Sequence, residues 1–67
     1  MRLIEVLKGK SNIRIKEYEK YGDGIIVVGG CFYNGKSILS LDGGFYPIGM
    51  ELKMHEWEDD ETLMIVR

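Results

Sequence analysis

Glycine-bearing breaks divide the middle of this chain: Gly22-Asp23-Gly24, Gly29-Gly30, Asn34-Gly35 and Asp42-Gly43-Gly44. They cut it into pieces too short to nucleate a stable helix, and each suits the reversal of a β ribbon. Gly22-Asp23-Gly24 can supply the positive backbone dihedrals of a tight hairpin. Asn34-Gly35, between CFY and KSILSL, is the pair that most favours a two-residue hairpin. Gly29-Gly30 predicts a bulge or a sharp bend, and Asp42-Gly43-Gly44 a further turn ahead of the short segment FYPI.

Around these breaks the dominant period is two. Ile13 and Ile15 point one way while Arg14, Lys16, Tyr18 and Lys20 point the other, because side chains alternate across a strand. Residues 25 to 28 (IIVV) are a β-branched run expected to be buried on both faces. Residues 2 to 8 (RLIEVLK) predict a first strand, and TLMIVR a last one. Met50, Leu52 and Met54 alternate with Glu51, Lys53 and His55, which predicts a strand over 50–57. A short helix is the competing reading there, since Met, Glu, Leu and Lys are good helix formers. Pro47 lacks an amide donor and belongs on an edge or at a strand start.

Leu63, Met64, Ile65 and Val66 are consecutive and apolar, so both faces of the last strand need cover and an exposed edge of this kind needs a partner strand. The N-terminal strand would provide it by closing a barrel, or a second copy of the chain would. The expected fold is therefore all-β: one domain over residues 1–67, an antiparallel, strongly curved sheet or small barrel of five to six strands.

A chain of 67 residues buries a modest share of its surface, roughly 60% by the usual scaling. Cys31 is the one cysteine and His55 the one histidine, so neither an intramolecular disulfide nor a Cys/His zinc site can staple the fold. Oligomerisation is the expected substitute, making a further copy of the chain the first expected partner. No apolar run approaches the ~20 residues of a membrane span, and MRLIEVLKGK lacks the long apolar core of a signal peptide, so a soluble, cytoplasmic protein without membrane contact is expected.

Residues 30 to 37 read GCFYNGKS, matching the phosphate-cradling pattern G-x-x-x-x-G-K-[ST]. The match fails on geometry. A working phosphate loop runs into a helix whose amides hold the phosphates, but here only ILSL separates Ser37 from the Asp42 turn. Asp42 follows Ser37 by five positions, whereas a parallel strand bearing a magnesium-binding aspartate needs a crossover of a dozen or more residues. Nucleotide hydrolysis is rejected, and no cofactor, metal or catalytic residue is assigned.

The net charge of −2 hides an asymmetry. Residues 1 to 20 carry six cations against three carboxylates, and residues 51 to 67 two against six. Lys8, Lys10, Arg14, Lys16, Tyr18 and Lys20 form a candidate nucleic-acid stripe, the cations contacting phosphates and Tyr18 stacking a base. The bland alternative is a solvated strand face. Phe32, Tyr33, Phe45 and Tyr46 would help such binding, yet rings in a small β domain usually fill the core. Glu56, Trp57, Glu58, Asp59, Asp60 and Glu61 form a candidate partner-binding surface, carboxylates beside an indole imitating phosphates to occupy a basic groove on another protein. HEWEDDE lacks the spacing of a calcium loop and reads more simply as a solvated turn. Metal-dependent nicking by Asp42, Asp59 or Asp60 is the one enzymatic alternative retained. Cys31 reads as a packing cysteine, with no cation nearby in sequence to activate it.

Residues 40 to 66, SLDGGFYPIGMELKMHEWEDDETLMIV, resemble the ends of short β-rich reading frames of bacteriophages and mobile elements. The resemblance covers under half of the chain and includes no catalytic motif. It implies a counter-defence role of the anti-CRISPR kind, a group composed mostly of stoichiometric inhibitors of host nucleases. That group has no shared fold or motif, so it assigns no residue a role. The expectation is a non-catalytic binding protein, an inhibitor whose partner is a host nucleic-acid-targeting nuclease. The alternative is a nucleic-acid-binding protein using Arg14, Lys16, Tyr18 and Lys20.

Overall fold

In the computed structural model, which describes residues 1–40 and 47–67, a five-stranded sheet is assembled around two tight hairpins. The first joins β1 (Ile13–Tyr21) to β2 (Gly24–Tyr33), with Tyr21 opposite Gly24 and only Gly22 and Asp23 between them. Gly22 has φ of 58°, a conformation in which a Cβ is strained, which is why glycine stands there. The second joins β4 (Met54–Asp59) to β5 (Thr62–Val66) through Asp60 and Glu61. The short β3 (Ile38–Ser40) pairs antiparallel with the end of β2, Tyr33 opposite Ile38.

Across the sheet the order is β3-β2-β1-β5-β4. All neighbours are antiparallel except β1 and β5, which run parallel with Ile15 beside Leu63 and Glu17 beside Ile65. The sheet is thus mixed, where the sequence predicts an antiparallel one. It is also open, not a barrel and not strongly curled, since among the described residues β3 and β4 remain separate edges. The apolar run of β5 receives the cover it requires, but from β1 on one side and β4 on the other within the same chain. A near-continuous apolar strand in a sheet interior is the usual pattern where pairing is parallel.

Residues 2 to 8 do not form a strand. Leu3–Val6 are a single helical turn, α1, and Arg2 alone makes a β-bridge, to Glu51. Leu3, Val6 and Leu7 have the i, i+3, i+4 spacing that gathers side chains on one helical face, and so short an apolar run satisfies either period. The tertiary setting decides. The free amides of Leu3 and Ile4 donate to the carbonyls of Met50 and Ile48 (2.9 Å each), and the Arg2 amide donates to the Glu5 carboxylate. Leu3 and Leu7 are buried against the sheet, with Ile13, Ile15, Cys31, Tyr33, Leu52, Leu63 and Ile65 completing the core.

Two further expectations are revised. Residues 50–57 divide: Met50 and Leu52 pack on the core from a non-strand segment, and β4 begins at Met54. The run Ile25–Val28, expected to be buried on both faces, is 46% to 62% exposed. The hairpin register explains this. Among the described residues β5 accompanies β1 only as far as Tyr18, and β3 accompanies β2 only over Cys31–Tyr33, so the tip of the β1–β2 ribbon extends past the core. A bulge does fall beside Gly29-Gly30: Glu17 opposes Gly29 and Tyr18 opposes Val27, leaving Val28 unmatched. The turn at Asp42-Gly43-Gly44 and the segment with Phe45 and Tyr46 lie outside the described residues.

Candidate functional site

The two faces of the sheet differ in what covers them. Ile13, Ile15, Cys31, Tyr33, Leu63 and Ile65 point toward α1, and Trp57, opposite Leu63, packs on the same side. Their neighbours along each strand point away from it. Arg14, Lys16 and Tyr18 of β1 stand opposite Phe32, Gly30 and Val27 of β2, and Leu39 lies beyond Phe32 on β3. Arg14, Lys16, Tyr18, Val27 and Phe32 line an open groove of about 630 Å³, which the absent side chains of Gly29 and Gly30 help to hollow. A smaller recess of about 210 Å³, sharing Arg14 and Phe32, continues it toward Asn12, Asp59 and Glu61. Apolar surface dominates the larger part, since Val27 and Phe32 are exposed in it, and the exposed Leu39 stands beside Phe32 on β3.

Charge on this face is mixed. Lys16 Nζ donates to Glu58 at 3.0 Å, and the Tyr18 hydroxyl donates to the other Glu58 oxygen at 3.4 Å. The hydrogen bond that Lys16 donates to Glu58, then the negative charge of Glu58, raises the Lys16 pKa above its ordinary value. Both partners are substantially exposed, so the pair contributes little to stability and serves chiefly to fix the Lys16 side chain. Arg14 has no ion pair among the described residues and lies beside Phe32 at the junction of the two recesses.

The basic stripe is therefore divided by the fold. Arg14, Lys16, Tyr18 and Lys20 share the open face of β1, as alternation predicts. Lys8 and Lys10 lie in the connection after α1, and Lys10 Nζ sits 4.8 Å from the centre of the Trp57 ring, on the opposite side of the sheet. That cation and indole attract through the ring quadrupole.

The acidic run is divided too. Glu56 opposes Met64 and so shares the open face with Glu58, whereas Trp57 is half-buried on the core side under Lys10. Asp59 accepts the Glu61 amide at 2.8 Å and closes the β4–β5 turn. That amide first, and the Thr62 side chain second, hold the Asp59 carboxyl below its ordinary pKa. Asp60 and Glu61 are exposed in the turn, and the Glu61 carbonyl accepts the Arg14 amide at 2.7 Å. No single surface presents all six residues. Among the described residues no group of three or more His, Cys, Asp or Glu side chains converges for a metal ion. Asp42, the third carboxylate considered for nicking, lies outside them.

At Asn34-Gly35 the loop is four residues long, Asn34–Ser37, where the sequence predicts two. Asn34 Oδ1 accepts the amides of Lys36 (2.8 Å) and Ser37 (2.9 Å), so the side chain occupies the donors a phosphate would require. The chain then enters β3 rather than a helix.

Sequence reasoning assigned Phe32 to the core and overlooked Val27, Leu39 and the two glycines as parts of one surface. Counting back from the Gly22-Asp23 hairpin would have paired β1 with β2, but the extra residue Val28 shifts the alternation of everything beyond it. No family model, curated protein or solved structure matches this chain. Among the described residues no helix is long and apolar enough to cross a membrane.

Proposed function

We propose that this protein is a non-catalytic binding module whose partner is another protein, engaged by the face of the sheet that is uncovered among the described residues, around Phe32, Val27 and Leu39. One observation carries the reading: an apolar, glycine-floored groove bordered by charges of both signs on a rigid sheet. The apolar floor supplies desolvation energy, while Arg14 and the Lys16–Glu58 pair at the rim give orientation and selectivity. The narrower form of the proposal, a stoichiometric inhibitor of a host nuclease, draws on the resemblance of residues 40–66 to counter-defence proteins. In that form the open face, rather than the acidic turn by itself, meets the enzyme.

A second reading has its own support. Arg14, Lys16 and Lys20 share a face with Tyr18 and Phe32, and strand geometry spaces Arg14 and Lys16 by about 7 Å, suited to an extended single strand of nucleic acid.

One experiment separates them. Wild type, Leu39→Lys, Arg14→Ala and the distant control Lys8→Ala are used for capture from extracts of cells carrying candidate nucleases, alongside mobility shifts with single-stranded DNA and RNA. The proposal expects a stoichiometric protein partner retained by Lys8→Ala and weakened at least tenfold by Leu39→Lys. Salt-sensitive oligonucleotide binding abolished by Arg14→Ala, with no protein partner, would replace it by the second reading.

A further inference from the structure

The outer edge of β2 from Gly24 to Gly30 has no strand beside it among the described residues, since β3 pairs only with Cys31–Tyr33. Natural sheets protect such an edge with charge, proline or shortness. Here seven successive residues, GIIVVGG, contain no charge and no proline. Ile25, Ile26, Val27 and Val28 are each about half exposed. Ile25 lies opposite Lys20 and Ile26 opposite Glu19, so the exposed side chains stand on both faces of the ribbon.

That distribution restricts the occupant. A partner resting on one face covers half of these side chains, whereas a strand added alongside flanks both faces and also satisfies the unpaired backbone groups. We propose that the occupant is a second copy of this chain, its β2 antiparallel to the first, giving a continuous sheet across a two-fold axis near Ile26 and Val27. The edge is self-complementary because apolar meets apolar in either copy and the uncharged run presents nothing for a charge-selected partner to recognise. The like-charged β1 strands would lie three strand spacings apart, about 14 Å, beyond the screening length of about 8 Å at physiological salt. Two such edges bury on the order of 1,000 Å², the lower bound for a specific interface, which fits a reversible dimer with a dissociation constant of roughly tens of micromolar. The inference does not depend on which molecule occupies the open face.

The test is sedimentation equilibrium of the full chain from about 1 µM to about 1 mM. Alongside it run the double variant Ile26→Lys with Val27→Lys, the open-face control Leu39→Lys, and amide exchange on the wild type at both concentrations. The expected result is a wild-type dimer, a dissociation constant raised at least 100-fold in the double variant and unchanged in Leu39→Lys, and protection of Gly24–Gly30 amides that increases with concentration. A wild type monomeric throughout, an association that survives in a folded double variant, or exchange at Gly24–Gly30 independent of concentration would each overturn it. Should the double variant not fold, the exchange experiment on the wild type decides the matter alone.

Discussion

Ile65→Ala and Ile25→Ala remove the same three carbons from two strands that look alike in the sequence, and the structure separates their consequences. Ile65 is fully buried in β5, between β1 and β4, whereas Ile25 is 49% exposed near the tip of the β1–β2 ribbon. Truncating a fully buried isoleucine costs about 2–5 kcal/mol, because the lost transfer energy is joined by the energy of the cavity left behind. At Ile25 about half of the transfer term applies and solvent fills the space, so the expected loss is about 1 kcal/mol, β propensity included. A domain of this size has a total stability of about 3–10 kcal/mol, so Ile65→Ala should leave it barely folded at 25 °C. The assay is urea and thermal unfolding by circular dichroism at about 1 µM, below the range proposed for edge pairing. At about 4–8 °C per kcal/mol, the two midpoints should differ by at least about 4 °C, and by about 30 °C at the upper end of the range. Equal losses would refute the reasoning, for they would mean that IIVV is as deeply packed as LMIV.

Gly35 has φ of 100° and a Cβ placed there would lie 3.1 Å from the Ser11 Cβ, so Gly35→Ala is expected to destabilise by about 2 kcal/mol in denaturant titration. Lys36→Ala, by contrast, should change stability by less than about 0.5 kcal/mol and leave the protein as indifferent to ATP as the wild type in calorimetry. Asp59 has a lowered folded pKa, so its contribution is complete above the ordinary carboxylate range and lost as pH falls through the folded value. The stability difference between wild type and Asp59→Asn should accordingly be constant above about pH 5 and shrink below about pH 4 in chemical denaturation. A difference that persists undiminished at pH 2 would show that the charge on Asp59 is not what the turn uses.

Local turn chemistry was the most legible part of the fold. Gly22-Asp23-Gly24 and Asn34-Gly35 reverse the chain where their conformational preferences indicate, though Asn34 adds side-chain hydrogen bonds that lengthen its loop. The need of Leu63–Val66 for covered faces and a pairing partner was also readable, but not its source. Parallel pairing of β1 with β5 joins residues about fifty positions apart, and nothing in the alternation of either strand encodes it. Leu3, Val6 and Leu7 fit two periods at once, and the carbonyls of Ile48 and Met50 select the helical one. The acidic run looked like one surface because the letters are adjacent. The pleat sends Trp57 to the core side and Glu56 to the open face. The bulge at Val28 hid the groove, since a single extra residue exchanges the faces of everything past it.

The fold's central feature is a mixed open sheet with one face uncovered among the described residues, and its most direct measurement is the set of interstrand backbone proton contacts in solution, recorded by nuclear Overhauser spectroscopy. The predicted result is a parallel pattern between β1 and β5 with Ile15 beside Leu63 and Glu17 beside Ile65, and no long-range contact from α1 to the side of the sheet bearing Arg14 and Phe32. Close α-proton pairs between β1 and β5, which arise only when strands run antiparallel, or contacts joining β3 to β4 across a closed barrel, would contradict it.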